Sequence, residues 1–243
     1  NSVMVVSDGS SVVGQGDLGA EASLPAVEAK CVFLRRLADV DAFPLPVTVR
    51  DPERIAEVVA LCSSVFAGIH LTDMAAPRCF EVQRLLDERL DIPVFHDDQQ
   101  GTAAALLAAL TNGLSVAGKS LADATVVVAG LGPGGQAAVR LLVAAEVGQV
   151  IACDSRGAVS PGREGLDEPG LAWIAEHTNP EGRTGQAPEL VRGADAFIGL
   201  STPNLLSADD VAAMAPDPVV LALAMPEPEI APDAAAKVAR VYA

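Results

Sequence analysis

A chain of 243 residues, half of them apolar and 20% charged, can bury one large core or two modest ones, which excludes a disordered segment. The net charge of −16 repels polyanions and excludes nucleic acid as a partner. No apolar run reaches the ~18–20 residues of a bilayer span, and no basic start with an apolar h-region marks a secretory signal.

The elements alternate between strand and helix. Met4, Val5 and Val6 read as a strand ending in a turn at Asp8 and Gly9. Pro25 suits the first position of a helix in which Val27, Cys31, Leu34 and Leu37 recur at helical spacing. Residues 43–49 are β-like, and Pro52 opens a helix with Ile55, Val58, Val59, Cys62 and Phe66 on one face. A strand at 68–71, a helix at 76–90 and a strand at 92–95 follow. Residues 101–116 form an alanine-rich helix placed to join two domains.

From Thr125 the alternation becomes more regular. Strands are expected at 125–129, 149–153, 196–200, 219–223 and 240–242, with helices between most of them and a Gly/Pro-rich surface loop at 157–170. Short apolar strands separated by helices imply a parallel sheet covered on both faces. The expected organisation is α/β. A catalytic and metal-binding domain spans 1–100, a connecting helix 101–118, and a Rossmann-type doubly wound domain 119–243. Cys31, Cys62, Cys79 and Cys153 have no C-x-x-C spacing, and three of them fall inside helices or strands. A reduced, cytoplasmic setting is the expectation.

G-x-G-x-x-G occurs twice. The copy at Gly14, Gly16 and Gly19 lacks a strong preceding strand and reads as a turn. The copy at Gly130, Leu131, Gly132, Pro133, Gly134 and Gly135 follows the strand Thr-Val-Val-Val-Ala and opens a helix at 136–145. A helix start offers unpaired N–H groups and a positive dipole end to a pyrophosphate, and glycines let the backbone come close. Asp154 ends the next strand, where an acid accepts hydrogen bonds from a ribose 2′-OH. This favours NAD, while Arg156 keeps NADP open. Ser155, Thr102 and Ser201 complete the cofactor set.

Asp73 follows one strand, and Asp97 and Asp98 follow another, with a single helix between. A right-handed crossover makes those strands parallel and puts the acids at one carboxyl edge. Adjacent acids there suit a divalent cation, or one ligand and one proton carrier, although Asp98 also stands where an acid caps a helix. Lys30 lies among Val27, Cys31, Phe33 and Leu34, either as a snorkelling side chain or as a base tuned by desolvation. His70, His96 and His177 have no metal-ligand spacing and are taken as structural.

Together these segments closely resemble bacterial malic enzymes. The matching strings are Ser7-Asp8-Gly9 with the first glycine motif, Glu28-Ala29-Lys30, Asp41-Ala42-Phe43-Pro44, Asp73 and Ala76-Pro77-Arg78-Cys79-Phe80-Glu81. They continue with the run from Pro93 through His96-Asp97-Asp98 to Thr102, the second glycine motif, Thr178-Asn179-Pro180-Glu181-Gly182 and Ala222-Leu223-Ala224. The resemblance implies an NAD(P)-dependent oxidoreductase acting on a small carboxylic acid. It makes Lys30 the base for the substrate hydroxyl, Asp97 a helper in proton transfer, and Asp73 and Asp98 ligands of Mg²⁺ or Mn²⁺. A homodimer is also expected from it.

Two internal positions depart from the family pattern. Thr72 stands where the family has Glu before the first metal-binding Asp, which implies a weakened cation site. Met225 stands where an Asn contacts substrate, and it cannot make that amide hydrogen bond. The family's N-terminal tyrosine region and C-terminal extension have no counterpart in this sequence, whose one tyrosine is Tyr242. Either a fragment or a natural short form explains this, and the two internal substitutions favour the latter. The functional expectation is hydride transfer between NAD(P) and a 2-hydroxy acid, with or without decarboxylation. The alternatives are a catalytically impaired dinucleotide-binding relative and the same scaffold reused on a different substrate in a biosynthetic pathway.

Overall fold

In the computed structural model, which describes residues 2–243, the chain divides into one unit ending at Gln100 and a second covering Gly101–Ala243.

The first unit holds β1 (Ser2–Ser7), α1 (Gly19–Ala38), β2 (Asp41–Pro46), α2 (Pro52–Cys62), β3 (Gly68–Leu71), α3 (Arg78–Arg89) and β4 (Val94–His96). Its strands form a sheet in the order β2-β1-β3-β4, and every pairing is parallel. Alternation puts Met4, Val6, Ile69 and Leu71 on one face, where they pack with Ile55 and Val59 of α2 and Val82, Leu85 and Leu86 of α3. α2 starts at Pro52 because Asp51 accepts the N–H of Arg54 and proline needs no donor there.

α1 does not begin at Pro25. It begins at Gly19, with Pro25 inside it, so proline here forfeits one rung of a twenty-residue helix and does not mark its start. β2 begins two residues earlier than expected and carries Pro44 and Pro46, which an edge strand tolerates. The first glycine motif is a turn: Val12 bridges to Gly16, with Gly14 and Gly16 at φ of 71° and 74°. After β4 a π-helical turn at Asp97–Gly101 leads onward.

The second unit holds α4 (Thr102–Val116), β5 (Thr125–Ala129), α5 (Pro133–Ala144), β6 (Gln149–Asp154), β7 (Gly157–Ala158), α6 (Pro169–His177), α7 (Ala187–Leu190), β8 (Ala196–Gly199), α8 (Ala208–Ala212), β9 (Val219–Ala222), α9 (Pro232–Ala235) and β10 (Val241–Tyr242). The sheet order is β10-β9-β8-β5-β6-β7, and all pairings are parallel except that of β7 with β6. Strand order therefore reverses between β5 and β8, as in a doubly wound sheet.

Each face of that sheet is covered. Val126 and Val128 face a core with α4, α5 and α6, and Val127 and Ala129 face one with α7 and α8. The alanine-rich helix expected to connect two domains is integral to this unit: Leu106, Leu110 and Leu114 of α4 lie in its core beside Ile198 and Leu221. A Cβ on Gly113 would sit 2.9 Å from Val219, so the small residue is what lets α4 lie so close to the sheet. The segment expected to be a loop begins with the two residues of β7, and α5 begins three residues earlier than expected, at Pro133.

Candidate active site

In the first unit β3 and β4 run parallel, with His70 opposite Phe95 and Leu71 opposite His96. Thr72 and Asp73 therefore leave the sheet at the same edge as Asp97 and Asp98. α1 carries Lys30 to that edge. Its Nζ donates to Asp97 Oδ2 at 2.9 Å, to Asp73 Oδ1 at 3.3 Å and to Thr72 Oγ1. The Thr72 hydroxyl in turn donates to the same Asp97 oxygen at 2.8 Å, and His70 Nε2 lies 3.1 Å from it. The other Asp97 oxygen accepts the Asp98 N–H at 2.8 Å. A single carboxylate is the hub of the cluster.

The electrostatics follow from this arrangement. Burial alone would raise the Asp97 carboxyl, but the His70 hydrogen bond and the Lys30 charge hold it well below the usual range. Burial likewise pulls the Lys30 ammonium down, and the charges of Asp97, Asp73 and Asp98 outweigh it, leaving it raised. Asp73 is raised by burial against the opposing effect of Lys30. Asp98 is pushed up to about 6 by burial and by the neighbouring Asp97 charge. Burial takes His96 down to about 4.

Two features fit a cation. Asp73 Oδ2 is buried and has no hydrogen-bond partner, and Asp98 Oδ2 accepts the Asp73 N–H at 3.2 Å, so the two acids adjoin. His96, Asp97 and Asp98 bring one ligand atom each within 4.8 Å of one another. A hard divalent ion takes carboxylate oxygens of this kind.

In the second unit Gly130 to Gly135 turn from β5 into α5. No side chain caps the helix at Gly132, which leaves the first N–H groups for an outside acceptor. A Cβ on Gly132 would meet nothing within 4 Å, so the space in front of that backbone is open. One on Gly135 would lie 1.8 Å from the Gly130 carbonyl oxygen. Such a cradle fits a dinucleotide pyrophosphate.

Asp154, Ser155 and Arg156 follow at the end of β6, and Ser201 at the end of β8, along the same carboxyl edge. Asp154 is not bare. Arg163 clasps both its oxygens, at 2.8 and 2.7 Å, and the Arg156 N–H adds 2.8 Å. Burial would raise this carboxyl, but the Arg163 hydrogen bonds hold it low. Thr102 opens α4, and Met225, three residues past β9, is 66% exposed.

Sequence reasoning missed His70 and Arg163. His70 shares strand parity with Thr72, a usable signal that it faces the same side. Arg163 comes from a loop whose path no periodicity predicts.

The family model "Malic enzyme, N-terminal domain" matches residues 1–53. The chain is 45% identical over all 243 residues to the NAD-dependent malic enzyme of Geobacillus stearothermophilus, and it spans 51% of that protein. It is 41% identical over 241 residues, 98% of its length, to the NADP-dependent malic enzyme of Escherichia coli, of which it spans 31%. The crystal structure of the NAD-dependent malic enzyme of Thermotoga maritima superposes over the whole chain with a TM-score of 0.97 and 40% identity, covering 65% of that chain. Over its whole length the chain is similar to malic enzymes. The chain spans about half the length of the first of these relatives, and a smaller share of the second. Among its described residues no helix is long and apolar enough to cross a membrane.

Proposed function

We propose that the chain is the hydride-transfer and acid–base part of a malic enzyme, oxidising malate or a closely related 2-hydroxy acid with NAD or NADP. The observation that carries the reading is the Lys30 ammonium shared between Asp97 and Asp73, next to the unpartnered Asp73 Oδ2. When bound, a dinucleotide supplies the hydride acceptor and a Mg²⁺ or Mn²⁺ ion the Lewis acid.

The chain's own residues supply the rest. Asp73 and Asp98 hold the cation. Lys30 exchanges the proton of the substrate hydroxyl, and Asp97, kept ionised and clamped by Thr72 and His70, orients Lys30. Three carboxylates hold the Lys30 proton in place. Offsetting the charges of Asp73 and Asp98 leaves only Asp97 to do so, which moves Lys30 towards the base form. The glycine turn holds the pyrophosphate, and Thr102, Ser155, Arg156 and Ser201 line the remaining cofactor path. Arg163 neutralises Asp154, so a 2′-phosphate meets less repulsion there than a free acid would impose. Thr72, hydrogen-bonded to Asp97 beside Lys30, borders the substrate. A homodimer belongs to this reading, supported by the exposed apolar side chains Phe33, Leu37, Leu61 and Val65 of the first unit.

The test is NADH or NADPH formation by the protein with Mn²⁺ and a panel of 2-hydroxy acids including malate. Turnover that Lys30→Ala abolishes is the expected result. Absence of turnover with every acid, together with a Lys30→Ala protein that behaves like wild type, refutes the proposal.

A further inference from the structure

Glu229 has no role so far, yet it is completely buried, at 0% exposure. Burying a carboxyl group is costly unless its oxygens are satisfied. Here each is satisfied by backbone. The Ser201 N–H donates to Oε1 at 2.8 Å, with the Ser201 hydroxyl 3.4 Å from the same oxygen, and the Ala224 N–H donates to Oε2 at 3.1 Å. Ser201 lies just past β8 and Ala224 just past β9, so one side chain ties together two loops that leave neighbouring parallel strands.

Its seat is cut into β8. A Cβ on Gly199 would lie 2.3 Å from Glu229 Cδ and 2.6 Å from either carboxylate oxygen. The missing side chain at Gly199 is the space the carboxylate occupies, and the Leu206 N–H, donating to the Glu229 carbonyl at 2.9 Å, fixes the residue from behind.

The topology says which part of a ligand these loops meet. A dinucleotide lies across the point where strand order reverses, here between β5 and β8. The β6 side, with Asp154, takes the adenosine half, and the β8 and β9 ends take the other half. On the dinucleotide reading given above, we infer that Glu229 is a positioning residue for the nicotinamide half of the cofactor, holding Ser201 and the Ala224–Met225 backbone at the spacing that half requires. Glutamine has the shape but not the chemistry. Its one NH₂ must face either the Ser201 or the Ala224 N–H, donor against donor.

The experiment is calorimetric titration of the 243-residue protein with NADH, with NADPH and with ADP-ribose, which has the adenosine and both phosphates but no nicotinamide. Glu229→Gln is expected to weaken the reduced dinucleotides by about tenfold, the scale of one mismatched buried donor, and to leave ADP-ribose affinity within about twofold of wild type. Retained ADP-ribose binding also shows that the variant is folded. If Glu229→Gln does not fold, Glu229→Asp, which keeps the charge and shortens the reach, is expected to give the same selective loss. Equal weakening of all three ligands overturns the inference, because Glu229 would then serve the fold of the whole unit. Unchanged NADH and NADPH affinity overturns it too. A wild-type protein that binds neither NADH nor ADP-ribose overturns the dinucleotide reading itself, and this assignment with it.

Discussion

Two glycines of the turn between β5 and α5 separate what the backbone needs from what a ligand needs. In Gly135→Ala the new Cβ would lie 1.8 Å from the Gly130 carbonyl oxygen and 2.9 Å from its carbon. Real Cβ contacts do not fall below 3.0 Å, and both neighbours are backbone, so no side-chain rotation relieves the clash. The start of α5 must move by more than 1 Å. Overpacking of this kind costs about 1–3 kcal/mol, or about 2–12 °C in Tm for a chain of this size, and it also displaces the N–H groups offered to the pyrophosphate.

Gly132→Ala is the contrasting change. Its Cβ meets nothing within 4 Å and its φ of −70° suits alanine, so Tm should stay within about 1 °C. The methyl nevertheless occupies the side a ligand would approach, and NADH affinity should fall by about tenfold or more. Differential scanning fluorimetry and NADH fluorescence titration give both readouts. A Gly132→Ala protein as stable as wild type that binds NADH equally well refutes the cradle. A Gly135→Ala protein with unchanged Tm refutes the close contact between turn and helix.

Lys30→Met should lower turnover by about 10²–10⁴-fold while leaving the NADH dissociation constant unchanged. A parallel loss of NADH binding would instead assign Lys30 to the fold. Asp98 titrates near 6, and a proton competes with a cation for its oxygens. Mn²⁺ should therefore bind about tenfold more weakly at pH 5 than at pH 7, and a flat profile by calorimetry contradicts the assignment. Without metal the sign is opposite. The folded state holds this proton more tightly than the unfolded chain, whose aspartate titrates near 3.8. Asp98 therefore favours folding at low pH, and that contribution is lost as pH rises from about 4 to about 6. Arg163→Met frees the Asp154 carboxylate. The ratio of NADPH to NADH dissociation constants should then rise several-fold, and a constant ratio shows that the pair has no part in cofactor choice.

Much of the architecture was legible because it rests on periodicity. Val126 and Val128 against Val127 and Ala129 is a two-sided strand in any setting, and parallel β3 and β4 follow from the single helix between them, which is why Asp73 and Asp98 could be placed at one edge. Less legible was whatever depends on partners distant in sequence. The leucines of α4 announce a helix but not which core they join. Pro25 resembles a helix start because the pattern cannot show that six residues before it are already helical. The hub at Asp97 was hidden because His70 reads as an ordinary strand residue until its neighbour at 3.1 Å is known. Asp154 looked free because its partner is nine positions away, in a segment without regular structure.

The prolines of β2 have an effect at the rim of the first sheet. Val47 N–H bonds to the Ser7 carbonyl of β1, so the odd-numbered amides of this stretch face inward and the even-numbered ones face solvent. Pro44 and Pro46 therefore remove donors from the solvent row alone and cost the ladder nothing. An intruding strand would find no hydrogen at two successive outward positions, so the border that would otherwise invite edge-to-edge aggregation is closed by two rings that cannot donate.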